Sequence, residues 1–482
     1  MQLAVVQRVL GILVTLFSGA LVPPILVSIY FDDAALWQFV QAFIIIFLVG
    51  AVLLLPVYKV RRKLRLRDGF VIVVLFWSGL GIVGALPLYL YEPLQLSAVQ
   101  AIFESISGLT TTGATVIVGL DDLPESILFY RQQLQWLGGM GIIVLAVAIL
   151  PMLGIGGMQL FRAETSGPQK DNKITPRIAE TAKALWYIYF ALTVACAIAY
   201  WLAGMPAFDA VLHSFSTIAI GGFSTHDASI GYFDSTAIEM VAVVFMLAAG
   251  VNFALHFTAV RKRSLQPYHQ DSEFVAFFGF LGVIALVSVV YLVWTNVYDV
   301  SDSITLGIFQ AVSIGTTTGF TTAEYFNWPG FLPVLLLFAS FVGGCAGSTG
   351  GGMKVVRVLL LFKQGQRELV RLIHPNAHIP VKLGKKRISD RVIDVVWGFF
   401  AAYVALFSLM LLLLMASGLD QVTAFSAVAA CLNNLGPGLG EVGAHYASLD
   451  TFPLIVLNFA MLLGRLEIFT LLVLFTPAFW DK

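Results

Sequence analysis

Ten runs of about twenty apolar residues mark the chain, near positions 9–30, 36–58, 69–91, 128–155, 181–204, 237–260, 274–296, 331–361, 391–416 and 452–476. A bilayer core about 30 Å thick needs about twenty helical residues, so each run predicts a spanning helix. The opening run follows a single Arg8 and carries no cleavage site, which predicts a first transmembrane helix rather than a removed signal. Four further apolar stretches are too short to cross: Leu96 to Leu109, Ala207 to Ala219, Ser303 to Gly315 and Asp420 to Leu432. Each runs into a turn that contains glycine. The turns read Thr110-Thr111-Thr112-Gly113-Ala114, Ala219-Ile220-Gly221-Gly222-Phe223, Thr316-Thr317-Thr318-Gly319-Phe320 and Asn433-Asn434-Leu435-Gly436-Pro437. Aligned on Gly113, Gly222, Gly319 and Gly436, they lie 109, 97 and 117 residues apart. The predicted architecture is an all-α integral membrane protein. An N-terminal helix pair (residues 1–67) precedes four pseudo-symmetric repeats of helix, pore helix and helix around one pore, at 68–177, 178–270, 271–388 and 389–482.

Composition agrees with a membrane protein. Hydrophobic residues make up 59%, charged residues 12%, and the mean hydropathy is +0.88, leaving too few polar groups to cover a soluble protein of this length. The net charge of zero gives no ground for binding nucleic acid. Cys196, Cys345 and Cys431 lie far apart in apolar or glycine-rich segments and read as small buried residues. Basic residues gather in 59–68, 162–177, 261–263 and 354–391, whereas the alternate loops hold acids such as Asp32, Asp121, Asp227, Asp299, Glu324 and Glu441. The positive-inside rule therefore predicts cytoplasmic termini and four turns that open outward. The acidic outer face concentrates cations by a modest, salt-screened amount. Residues 354–391 suit either an acidic regulator or anionic headgroups, and the sequence leaves the two open.

The turns carry the candidate chemistry. A half-helix that stops at mid-membrane aims its partially negative C-terminus at the centre, which favours a cation. Irregular backbone is tolerated at that depth only when buried in protein or lining water. Four such turns in one chain can build a ring of carbonyls that replaces an ion's hydration shell. No Asp or Glu occupies a turn, which argues against a divalent ion. Below the third turn, residues 343–352 place six glycines and two hydroxyl residues in ten positions. Each glycine costs about 1 kcal/mol in a helix, so a loop is predicted here, read as a gate in preference to a packing hinge. Arg465 falls within the last apolar run. Glu467 is its bland partner, but residues two apart face differently on a helix, so the preferred reading is a pore-facing barrier that meets the loop.

Other signals carry less. Gly438-Leu439-Gly440-Glu441-Val442-Gly443 has dinucleotide-loop spacing without the strand that such a loop follows. Pro375 separates His374 from His378, so they make no helical metal pair. Asn252 and His256 either line the cavity or bond between helices. No clustered His, Asp or Cys at membrane depth points to an enzyme.

Together the four turns resemble the pore segments of the Trk/Ktr/HKT cation-transporter superfamily, and the resemblance covers the whole chain. It implies a fold related to potassium channels, with potassium as the transported and filter-bound ion and no organic cofactor. It further implies a bacterial inner-membrane homodimer in contact with lipid and bound to a cytosolic TrkA-like nucleotide-binding ring. The implied filter lining is Thr111, Thr112 and Gly113; Ile220, Gly221 and Gly222; Thr317, Thr318 and Gly319; Asn434, Leu435 and Gly436. The second and fourth segments depart from Thr-Thr-Gly, so backbone carbonyls must dominate there and a less symmetric filter is expected. The implied gate is Gly347, Ser348, Thr349, Gly350, Gly351 and Gly352 with Arg465. A sodium channel or sodium-coupled symporter of the same fold is the alternative, and Gly113 in place of the serine of sodium-preferring plant relatives points to potassium. A receptor that conducts nothing is the reading furthest from this one.

Overall fold

A computed structural model describes residues 2–60, 65–144, 174–384 and 386–481. Its opening helices are α1 (Leu3–Ser18), α2 (Val22–Phe31) and α3 (Leu36–Leu54). α1 and α3 pack closely because Gly11 lies against the backbone of Leu54 and Gly50 against Thr15. The first repeat follows as α4 (Leu66–Gly84), the short α5 (Leu86–Leu90), the pore helix α6 (Ala98–Leu109) and α7 (Glu125–Val144). The second comprises α8 (Ile174–Leu202), the pore helix α9 (Ala207–Ala219), α10 (Thr236–Gly250) and α11 (Phe253–Lys262). After α12 (Gln266–Gln270), the third comprises α13 (Ser272–Thr295), the pore helix α14 (Val300–Gly315), α15 (Leu332–Val342) and α16 (Val355–Ile373). The fourth comprises α17 (Asp390–Ala416), the pore helix α18 (Gln421–Leu432), α19 (Thr451–Arg465) and α20 (Phe469–Leu472).

The pore helices start and stop for local reasons. Ser97 and Gln100 form a capping box on α6, and the Asp420 carboxylate accepts from Val422 and Thr423 N–H at the start of α18. All four end in the same cap. Thr112, Gly221, Thr318 and Leu435 donate N–H bonds of 2.7–2.8 Å to carbonyls five residues back, and Thr111, Ile220, Thr317 and Asn434 take left-handed angles.

Two apolar runs that predict unbroken spans are broken. α10 and α11 meet at 94°, because Asn252 caps α11 by accepting from Ala254 N–H at 2.8 Å. α19 and the helical turns after it meet at 109°, with Glu467 and Ile468 both at positive φ. The run at 331–361 is two helices, α15 and α16, joined through the glycine-rich segment where the sequence predicts a loop. Six described helices, or eight if each bent pair is one span, are long and apolar enough to cross a membrane. A two-stranded ribbon pairing Lys382–Leu383 with Lys386–Arg387 follows α16, unannounced by the apolar pattern. The predicted span at 128–155 is described as far as Val144. Its remainder, most of the basic loop at 162–177 and residues 61–64 of the first basic loop lie outside the described residues.

Candidate functional site: a ring of four segments over a glycine loop

The four turns meet. A Cβ placed on Gly113 would collide with the Gly221 carbonyl oxygen, one on Gly222 with that of Thr318, and one on Gly319 with that of Leu435. One on Gly436 would crowd the Thr112 oxygen at 2.6 Å, which closes the circle. All four glycines have positive φ, between 79° and 100°, so the conformation and the space both require glycine. Of the left-handed residues beside them, Thr111, Ile220 and Thr317 are β-branched, at a cost of about 1–3 kcal/mol each. Such torsions persist only where surrounding contacts hold them.

Those contacts differ among the segments. Thr110 and Thr112 hydroxyls lie 2.7 Å apart, and Thr316 and Thr318 repeat the arrangement at 2.8 Å. In the fourth segment Tyr403 donates to Asn433 Oδ1 at 2.5 Å, Asn433 Nδ2 donates to Ser340, and Asn434 Nδ2 donates to the Met461 carbonyl. The second segment has no polar side chain of its own between Ile218 and Gly222.

The glycine loop lies against the helix side of this ring. Gly351 N–H donates to Thr317 Oγ1 at 2.7 Å, Gly352 N–H to the Asn433 carbonyl at 2.9 Å, and Thr349 Oγ1 to the Ile218 carbonyl at 2.9 Å. A Cβ at Gly351 would run into the Asn433 oxygen, so only glycine permits this approach. Arg465, buried at the end of α19, donates to Thr111 Oγ1 and lies 3.5 Å from the Thr349 carbonyl. The loop and Arg465 thus bond to all four segments. Ser348 Oγ turns inward to Cys345 O, and Gly347 O accepts from Phe253 N–H at the bend before α11. Glu273 anchors the loop from α13, accepting from Ala346 N–H at 2.7 Å.

Sequence reasoning missed several polar groups here. Glu467 pairs with Arg357 at 2.6 Å, not with Arg465, and Arg357 stacks over Phe399 at 4.3 Å. Lys354 Nζ donates to the Gly350 carbonyl. Arg131 and Glu104 form a fully buried pair at 2.9 Å. Arg131 also donates to Thr115 Oγ1 and the Ser224 carbonyl, and Glu104 accepts from Val116 N–H, so the pair ties together the exits of two segments. Glu104 inside a short apolar helix and Arg131 inside an apolar run are the sequence signals that could have found it. Asn252 and His256 are both engaged in bonding: His256 reaches Tyr268 Oη and the Ala248 carbonyl. The three cysteines are buried and free.

Space opens on both faces of the ring. On one side Gly113, Gly222, Gly319 and Gly436 border a single vestibule of about 460 Å³. There His226 contacts Asp121 at 2.5 Å and Asp209 at 3.7 Å and stacks on Tyr232. On the other side Gly350, Gly351, Lys354, Arg357, Leu432 and Arg465 border a smaller pocket rich in cationic groups. The ring lies between these two openings, and the glycine loop with Lys354, Arg357 and Arg465 borders the second.

Known proteins match this chain along its full length. The family described as "TrkH: Cation transport protein" matches residues 35–482. A Trk system potassium uptake protein TrkH from Halomonas elongata is 59% identical over 483 residues, covering all of both chains. The protein of that name from Escherichia coli K12 is 56% identical over the same span, and TrkG of that organism is 42% identical over 477 residues, 99% of this chain and 98% of its own. The crystal structure of the potassium transporter TrkH from Vibrio parahaemolyticus superposes with a TM-score of 0.93 at 54% identity, covering all of both chains. These relatives are named as transport proteins, not enzymes. The chain, a multi-pass membrane protein with the helix and pore-helix repeats of this fold, belongs to the TrkH family of cation transport proteins.

Proposed function

We propose that this protein takes up potassium across the bacterial inner membrane through a filter formed by the four turns. The observation that carries the reading is the closed circle of glycine-to-carbonyl contacts with an opening on either face. Thr111, Thr112 and Gly113, Ile220, Gly221 and Gly222, Thr317, Thr318 and Gly319, and Asn434, Leu435 and Gly436 line it. Neutral oxygens at fixed positions suit a weakly hydrated monovalent ion. Gly347 to Gly352 act as the gate, and Arg465 holds the gate to the filter while repelling cations beneath it. Residues 1–67 serve as a peripheral helix pair, and 68–177, 178–270, 271–388 and 389–482 as the four pore repeats. Both termini lie in the cytoplasm, where a TrkA-like nucleotide-binding ring engages a homodimer through the basic segments. Support for a partner comes from the relatives' names, which speak of a Trk system.

The test is ion flux from the purified protein in liposomes, with and without a nucleotide-binding partner. Potassium flux exceeding sodium flux is expected. Sodium exceeding potassium would overturn the choice of ion, and no flux even with partner and nucleotide would overturn conduction.

A further inference from the structure

Where the first and third segments carry Thr112 and Thr318, the second carries Gly221. Ala219, Ile220, Gly221 and Gly222 offer no side-chain hydrogen bond, so this segment lacks the hydroxyl pair that ties its neighbours. Its support comes from α7. Gln135 is fully buried; its Oε1 accepts from Phe223 N–H at 3.1 Å and its Nε2 donates to the Gly221 carbonyl at 2.6 Å. One partner is a donor and the other an acceptor, so the amide fits only this way round. The two bonds straddle Gly222, whose α-carbon abuts Thr318. Among the described residues, the equivalent carbonyls of Thr112, Thr318 and Leu435 accept no side-chain hydrogen bond.

Gly221 itself does not have positive φ, so its torsions do not demand glycine. What excludes a side chain is Gln135, because a Cβ at Gly221 would overlap the amide carbon and Oε1. The glycine and the glutamine are one device: the first vacates the space that the second fills.

We propose that Gln135 is a specificity-determining positioning residue, performing in the second segment the bracing that threonine hydroxyls perform in the first and third. It thereby fixes how far the Gly221 oxygen reaches into the ring. This rests on reading the ring as the filter. An oxygen held at a set distance separates ions by size, whereas a mobile one follows the smaller ion inward.

The experiment measures the potassium-to-sodium permeability ratio of the full-length protein in liposomes. Gln135→Met keeps the volume and removes both bonds; the ratio should fall on the order of fivefold, the worth of one buried hydrogen bond. Gln135→Asn, one methylene short of spanning both atoms, should act in the same direction and serves if the methionine variant fails to assemble. Gly221→Ser should also lower the ratio, and adding Gln135→Ala to it should recover part of the loss, because the vacated space receives the hydroxyl. Assembled Gln135 variants with the parental ratio, beside a Gly319→Ser control that lowers it, would overturn the proposal alone. A Gly319→Ser control that also leaves the ratio unchanged would overturn the filter reading and the proposal with it. Absence of recovery in the double variant would show that the glycine and the glutamine do not act as one device and would equally overturn it.

Discussion

Asn434 donates from Nδ2 to Thr112 Oγ1 across 3.0 Å, so a side chain of the fourth segment completes the hydroxyl ladder of the first. These residues are 322 positions apart, and the bond joins the last repeat to the first.

Gly319→Ser and Gly113→Ser should raise the sodium-to-potassium permeability ratio. In both cases a side chain must enter space held by a neighbouring carbonyl, at a backbone angle of φ +83° that side chains rarely adopt. Reversal potentials under mixed-ion gradients provide the check, and an unchanged ratio would count against the filter assignment.

Arg465→Ala should increase potassium flux several-fold. It removes both the positive charge under the ring and the tie from Thr111 to the loop. Stopped-flow flux from liposomes measures the effect, and reduced flux from a well-assembled variant would contradict a barrier role.

Arg131→Ala should destabilise the fold strongly, by about 3–5 kcal/mol, because Glu104 loses its guanidinium partner in the interior. Removing both partners as Arg131→Met with Glu104→Leu should cost less than the single change. Thermal unfolding in detergent distinguishes the two, and additive losses would indicate that the groups do not act as a pair.

His226 links stability to pH. Burial opposes its charge, but the neighbouring carboxylates of Asp209 and Asp121 outweigh that and raise its pKa above the usual 6.5. A raised folded-state pKa contributes stability that is complete below pH 6.5 and fades as pH rises through the folded value. The melting temperature should therefore fall between mildly acidic and alkaline pH, and His226→Asn should flatten that part of the profile. An equal slope in the variant would move the effect elsewhere.

Much of this was legible from residue order. Runs long enough to cross, runs too short to cross and four glycines at regular intervals fix the repeat and the meeting place of the turns. Length and hydropathy do not register a cap or a left-handed turn inside an apolar run, so neither the bend at Asn252 nor the break at Glu467 and Ile468 is foreseen. Pair geometry was also hidden. The Arg465–Glu467 question was settled by Arg357, which approaches from 110 positions away. Gln135 gave a weak signal, a polar residue four positions after Arg131 and so on one helix face, but only coordinates reveal that its partner is a glycine on another repeat.

The circular succession of contacts at the four glycines has an evolutionary consequence. In a pore made of identical subunits, one mutation alters every quarter at once and symmetry is preserved automatically. Here a change in one quarter is felt first by the quarter beside it, whose carbonyl occupies the space a new side chain would need. Drift within any repeat is therefore judged by its neighbour, and tolerated divergence should come as matched substitutions in adjacent repeats.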